Sequence, residues 1–555
     1  MNTTDRALAA YARIAEIDRP EAWIALRDQD DVLAEAARLD AARAAGADLP
    51  LAGKVYAAKD NIDVAGLATS AACPSFAYEP DRDATAVARL RAAGAVCLGK
   101  TNLDQFATGL VGTRSPYGAV RSAADPALVA GGSSSGSAVL VALGAVDFAL
   151  GTDTAGSGRV PAALGGIVGV KASLGLVPVD GVVPACFSYD CVTAFAPDLA
   201  GAVEAMRVMT GPAETDPASR TWPAELPLAA PPEPRVAVPR PQDLAPLDPD
   251  FRPLFEAAAA ALEAAGVTCV ETDVRPFLDA ALLLYEGALV AERFAAFGAH
   301  LDAWPEDADP VVAEIVRGAG KFTGAELAAD QQRLRRSRAA ARAALDGLDA
   351  LLLPTAPMHP AIAEVRADPI ATNARMGTYT NFVNLLDMAA VAVPAGTAGS
   401  KGFGVSLIVP AFADQVAIDL AARLQGVEAP LYAPAGAELV VFGAHLAGMP
   451  LNGQLTALGA RFAGEVATAP AYRMYELDTE PSKPLVVRSG EGASLPGERW
   501  LLSPAALGRF LSALPAPMSL GKVELSDGTW ATGFVAAAPE GADITAAGGW
   551  RAHRG

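Results

Sequence analysis

The stretch from Gly131 to Arg159 limits this chain more than any other. It reads Gly-Gly-Ser-Ser-Ser-Gly-Ser, then an apolar run, then Gly-Thr-Asp-Thr-Ala-Gly-Ser-Gly-Arg. The apolar run, Ala138 to Leu150, has the length of a short helix followed by a buried strand. Such an excursion returns the chain on itself and can set the hydroxyls of the two clusters side by side. Glycines let a backbone approach its neighbours closely and tolerate positive φ. A serine just ahead of a helix exposes its Oγ among outward-pointing N–H groups. An acyl-transfer nucleophile needs that setting, because its tetrahedral intermediate carries an oxyanion. In Thr154-Ala155-Gly156-Ser157, successive N–H groups can converge into an oxyanion hole.

Histidine does not supply the base. Gly132 to Gly136 spells Gly-x-Ser-x-Gly around Ser134, the letters of a nucleophile elbow. Only His300, His359, His445 and His553 exist, and none stands where a Ser–His–Asp base would. Lysine offers an alternative. Val55-Tyr56-Ala57-Ala58 reads as a short buried strand that delivers Lys59. Burial disfavours the charged ammonium, lowers its pKa and makes a neutral lysine available as general base. Ser133, Ser134 and Ser135 are chemically alike, and the residues alone do not choose among them.

Ala57-Ala58-Lys59-Asp60-Asn61, Gly131 to Ser137 and Gly151 to Arg159 together resemble the motifs of the amidase signature hydrolases, over roughly residues 10 to 430. The resemblance implies an α/β fold, a mixed β-sheet core covered by helices, and a Ser–Ser–Lys triad. In it Ser157 is the nucleophile, Ser133 the bridging serine and Lys59 the base, with Thr154, Ala155, Gly156 and Ser157 as oxyanion hole. Asp104 to Thr113, rich in glycines and hydroxyls, suits a loop bordering the site. Gly109 of that loop, with Ser134, is assigned to substrate binding. Arg159 either contacts substrate or braces its loop, and bracing is expected.

The passage from Ser115-Pro116-Tyr117-Gly118 to Gly131 is similar to allophanate hydrolases, one branch of that family. There a tyrosine and an arginine bind the substrate carboxylate, and Tyr285 and Arg293 match them. Leu278 to Ala299 reads as one helix, which places these two residues about 80° apart around its axis. Charge agrees with this assignment. A net charge of −20 repels an anionic substrate, so local cations must hold it. The same charge argues against nucleic acid and anionic membranes.

With 555 residues, 52% of them hydrophobic, the chain can bury a large core and a second, smaller one. Five cysteines without metal-type spacing read as reduced thiols. The start Met1-Asn2-Thr3-Thr4-Asp5-Arg6 has no signal-peptide pattern, and no apolar run approaches the ~20 residues of a membrane span. A cytoplasmic protein without metal or cofactor is expected, forming a homodimer and associated with upstream pathway enzymes.

The domain reading is 1–430 for the amidase unit, 431–437 for a linker and 438–555 for a tail of short strands. Proline- and acid-rich residues 212–234 read as a surface excursion. The basic run Arg333 to Arg338 reads as a solvated helix face. The tail, opening Val441-Phe442-Gly443-Ala444-His445, resembles the C-terminal domain of allophanate hydrolases. That resemblance implies an α+β fold of γ-glutamylcyclotransferase-like type that assists decarboxylation. His445, among small residues, is expected to present an accessible catalytic ring. The function implied is hydrolysis of allophanate to N-carboxycarbamate and ammonia, with ammonia and carbon dioxide as overall products. Urea and triazine-ring breakdown fit equally as its source. The rivals are an amidase of other small amides, the amidase component of a glutamyl-tRNA amidotransferase and a non-catalytic scaffold.

Overall fold

In the computed structural model, which describes residues 2–303, 305–515, 518–536 and 538–554, the strands of the larger unit form one mixed sheet. In chain order they are β1 (Trp23–Leu26), β2 (Val55–Lys59), β3 (Val96–Thr101), β4 (Phe148–Asp153), β5 (Val168–Lys171) and β6 (Cys191–Ala196). They continue as β7 (Arg235–Pro239), β8 (Thr268–Thr272), β9 (Ala350–Pro354), β10 (Met388–Ala398) and β11 (Lys401–Pro410). Their order across the sheet is β1-β3-β2-β4-β6-β5-β10-β11-β9-β7-β8. This unit comprises Met1–Thr221 and Pro234–Tyr432.

β2 lies between β3 and β4 and runs parallel to both, with Ala58 opposite Leu150 and Lys59 opposite Thr101. All five of its residues are buried, which explains its unbroken apolar character ahead of Lys59. β4 is equally buried and ends at Asp153, opposite Cys191 of β6. The chain then turns through residues 154–159 into the helix Val160–Gly165, with Pro161 in its first turn.

Two helices depart from expectation. The helix after the serine cluster begins at Ser135, earlier than the apolar run suggested. Ser137 does not cap it. Its hydroxyl reaches Leu150 O (2.8 Å) and Thr101 Oγ1 (2.7 Å), tying the helix to β4 and β3. The expected helix Leu278–Ala299 is broken into pieces. Helix Arg275–Ala281 and a 3₁₀ turn Leu282–Leu284 precede extended Gly287, and helical turns resume at Ala288. The cause is Asp330, whose carboxylate accepts the Ala288 N–H at 2.8 Å and occupies the space a Cβ on Gly287 would need. Asp330 belongs to the helix Gly324–Ala344, which starts with a capping box of Thr323 and Glu326. Leu334 of that helix is buried, while Arg333, Arg335 and Arg336 are exposed.

The second unit contains Ala433–Gly555 and also Trp222–Glu233. The proline-rich stretch is therefore divided, and its second half is a built part of this unit. Leu228 donates its N–H to Gly459 O at 2.8 Å, and Ala224 O accepts from Ala505 N at 3.0 Å. The strands here are β12 (Ala437–Val441), β13 (Arg461–Ala467), β14 (Tyr472–Leu477), β15 (Lys483–Arg488), β16 (Pro496–Leu502), β17 (Ser519–Glu524), β18 (Trp530–Val535) and β19 (Ala542–Asp543). They form one sheet ordered β13-β16-β12-β18-β17 and another ordered β15-β14-β19. β16 lies between β13 and β12 and is antiparallel to both. Leu439, Val441, Trp500, Phe510, Phe534 and Trp550 pack in this unit's core.

No helix among the described residues is long and apolar enough to cross a membrane.

Candidate active site

The end of β2 places Lys59 fully buried, with its Nζ hydrogen-bonded to Ser133 Oγ and to Thr152 Oγ1, each at 2.7 Å. Asn61 Nδ2 also donates to Thr152 Oγ1 at 3.3 Å. Burial pulls the lysine pKa down to about 7, although the carboxylates of Asp104, Asp190 and Asp153 oppose the shift. A lysine so placed is partly neutral near pH 7 and can receive a proton from Ser133.

Ser133 is held by its backbone. Its carbonyl accepts the Asp104 N–H at 3.1 Å. Asp104 Oδ2 in turn accepts from Val111 N (3.1 Å) and Gly112 N (2.9 Å), which draws the 108–114 loop against the serine cluster. Gly132 is required there, because a Cβ would lie 2.1 Å from Asp104 Oδ2. Gly109 packs on the same carboxylate, where a Cβ would lie 2.5 Å from Oδ2.

Ser157 lies on the loop after β4. Its hydroxyl makes no hydrogen bond to another described residue. The N–H groups of Ala155, Gly156 and Ser157 are likewise without a partner among the described residues. Gly156 has φ +141°, a conformation glycine alone adopts readily, and a Cβ there would strike Thr380 Oγ1 at 2.5 Å. Arg159 fixes this loop with paired 2.9 Å bonds to both Asp153 oxygens and 3.2 Å bonds to Thr380 O. Burial would raise the Asp153 pKa, but Arg159, with Lys171 and the Gly158 N–H, outweighs it and holds the carboxyl below its ordinary range. Arg159 braces the loop.

Ser134 departs from expectation. Its hydroxyl donates to Thr152 O (3.2 Å) and accepts from Thr152 N (3.3 Å), so it fastens β4 and is not turned to a substrate.

Tyr285 and Arg293 do come together despite the broken helix. The guanidinium carbon sits 4.7 Å from the Tyr285 ring centroid. Arg293 is fully buried, yet Nε, Nη1 and Nη2 all lack hydrogen-bond partners among the described residues, as does the Tyr285 hydroxyl. Buried polar groups are ordinarily satisfied, so unpartnered donors at this density are unusual. Tyr285, Asn373, Gly377 and Asn381 line a cavity of about 600 Å³.

A profile of the amidase family matches residues 6–416. The chain belongs to the amidase family. Membership makes it an amidohydrolase. Residues 437–555 of this amidase match the profile of the allophanate hydrolase C-terminal domain. It is 39% identical to urea amidolyase of Saccharomyces cerevisiae over 97% of its own length and 31% of that protein. It thus spans about a third of the curated relatives of this kind. A solved allophanate hydrolase of Kluyveromyces lactis superposes with a TM-score of 0.89 at 37% identity, covering 100% of this chain and 96% of the other. The peptide amidase of Stenotrophomonas maltophilia superposes with a TM-score of 0.65 at 29% identity, covering 78% of this chain and 96% of its own.

The amidase site also holds groups the sequence reading missed. Thr152 shares Lys59 with Ser133, although it stands inside the motif. Asp190, buried, accepts from Thr154 Oγ1 and from the amides of Ala185 (2.9 Å) and Cys186 (3.1 Å). Burial pushes its pKa up to about 6 against those bonds. No sequence signal near Asp190 marks it as part of the serine loop's support.

In the C-terminal unit, His445 is not the accessible ring expected. It is 7% exposed, stacked on Phe534 at 5.1 Å and edge-on to Phe510 at 5.2 Å. Its Nε2 is hydrogen-bonded to Gln454 Oε1 at 3.0 Å, and burial lowers its pKa. Gly443 and Ala444 are buried with it, and the phenyl rings come from distant strand and helix positions. Among the described residues, no group of three or more His, Cys, Asp or Glu side chains gathers as a metal site.

Proposed function

We propose that this amidase hydrolyses allophanate, and that Ser157, Ser133 and Lys59 carry the reaction. The observation that supports this substrate above other amides is Arg293, buried without a hydrogen-bond partner and stacked on Tyr285. Such a guanidinium calls for an anion, and a carboxylate suits its paired donors. Allophanate has a carboxylate at one end and a primary amide at the other.

In the proposed reaction, Ser157 Oγ attacks the amide carbonyl while its proton passes to Ser133 Oγ. Ser133 passes its own proton to neutral Lys59. The carbonyl oxygen, now an oxyanion, is received by N–H groups of the Thr154-Ala155-Gly156-Ser157 loop. Lys59 then returns a proton through Ser133 to the amide nitrogen, the C–N bond breaks and ammonia departs. Water hydrolyses the acyl-enzyme by the same relay and releases N-carboxycarbamate.

For the C-terminal unit, which we propose has a γ-glutamylcyclotransferase-like fold, the reading assigns assistance to loss of carbon dioxide from that product. His445 would take part as a neutral ring in the wall it shares with Lys483, Pro484 and Met518. Supply of allophanate from urea, by a partner enzyme, is favoured by the name of the longer relatives. A homodimer in the cytoplasm completes the reading.

The test is ammonia release by the purified chain from allophanate, acetamide, malonamide and glutamine in parallel. Turnover of allophanate far above the others is the expected result. Equal turnover of all four would leave a general amidase, and none at all would favour a scaffold.

A further inference from the structure

The groups so far assigned to the site are almost all donors: three loop N–H groups, the nitrogens of Arg293 and the Tyr285 hydroxyl. A primary amide brings N–H groups of its own, and these lose water on entry. Unless the protein offers acceptors, they remain unsatisfied in a buried site.

One residue is placed to accept them. Thr380 is fully buried and its Oγ1 has no hydrogen-bond partner among the described residues. That oxygen faces Gly156, 2.5 Å from where a Cβ would stand, one residue before Ser157. Its backbone is pinned, because Thr380 O accepts both 3.2 Å bonds from Arg159. Valine has the same shape and would fill the same space without a polar atom, so packing alone does not explain a hydroxyl here. The next residue repeats the feature: Asn381 Oδ1 is buried without a partner, and Asn381 lines the cavity that Tyr285 also lines.

We propose that Thr380 is a specificity-determining residue, its Oγ1 accepting an N–H of the substrate amide while Ser157 attacks the neighbouring carbonyl. Asn381 offers a second acceptor on the Tyr285 side. The site then reads both ends of its ligand, the carboxylate through donors and the amide through acceptors. This inference rests on the amide-plus-carboxylate substrate proposed above.

The experiment compares Thr380→Val and Thr380→Ser with the unaltered chain, on allophanate and on malonamate, with malonate as inhibitor. Thr380→Val is expected to lower kcat/KM about 10- to 100-fold, and Thr380→Ser to restore it to within about threefold. Malonate has no N–H, so its inhibition constant should not change in Thr380→Val. An unchanged kcat/KM in Thr380→Val overturns the proposal. So does a Thr380→Ser protein as impaired as the valine form, or a parallel loss of malonate inhibition, since either points to packing. If Thr380→Val does not fold, Thr380→Ala takes its place in the same comparison. An unaltered chain that cleaves malonamate but not allophanate overturns the substrate reading alone, and Thr380 is then judged on malonamate. A chain inert to both overturns the two together.

Discussion

Lys59 and Arg293 are both fully buried cations in one unit, and their surroundings are opposites. Lys59 has its nitrogen bonded to two hydroxyls and its pKa drawn down to about 7. Arg293 cannot shed its charge, because guanidinium stays protonated at any physiological pH, and none of its nitrogens is bonded among the described residues. The lysine end is complete without a ligand. The arginine end is not. A site can thus hold its proposed base bonded to the bridging serine while leaving its recognition groups unsatisfied until substrate arrives, which makes binding depend on the right anion.

The strongest way to break this contrast is at the lysine. Lys59→Ala removes the proposed base, and kcat should fall about 10³-fold with little change in KM. Steady-state ammonia release measures both.

Arg293→Met attacks the other end. KM for allophanate should rise about 10- to 100-fold, the range for a lost charge-assisted bond, with kcat nearly kept. The ligand-free protein should unfold at the same or a higher temperature than the unaltered chain, since an unpaired buried charge is removed. Malonate should raise the unfolding temperature of the unaltered chain and leave Arg293→Met unmoved.

The smallest effect sharpens the contrast without mutation. Lys59 must be neutral to accept a proton, so kcat/KM should rise with pH through about 7 and level off above it. A profile flat from pH 6 to 8 would place the base elsewhere.

What was legible in the sequence follows the same division. Lys59, Ser133 and Ser157 stand in short motifs whose local chemistry can be read directly, and the strand before Lys59 announced its burial. Tyr285 and Arg293 were found through resemblance, while the helix meant to carry them was misread. The apolar periodicity runs straight through Gly287, and the carboxylate that breaks it, Asp330, arrives from another helix. Asp190 leaves no local trace, because it bonds Thr154, a residue far away in sequence. His445 shows the reverse error. Its glycine- and alanine-rich neighbours suggested openness, but Phe510 and Phe534 close over the ring.

The segment Trp222–Glu233 imposes a manufacturing constraint on the smaller unit. Because the unit is assembled from two separate lengths of chain, it cannot be detached or exchanged by a single cut. A gene ending near codon 435 would keep Leu226 and Leu228, both buried now, and discard the rest of their unit. Any recombination that transfers this unit to another amidase must carry the dozen residues with it.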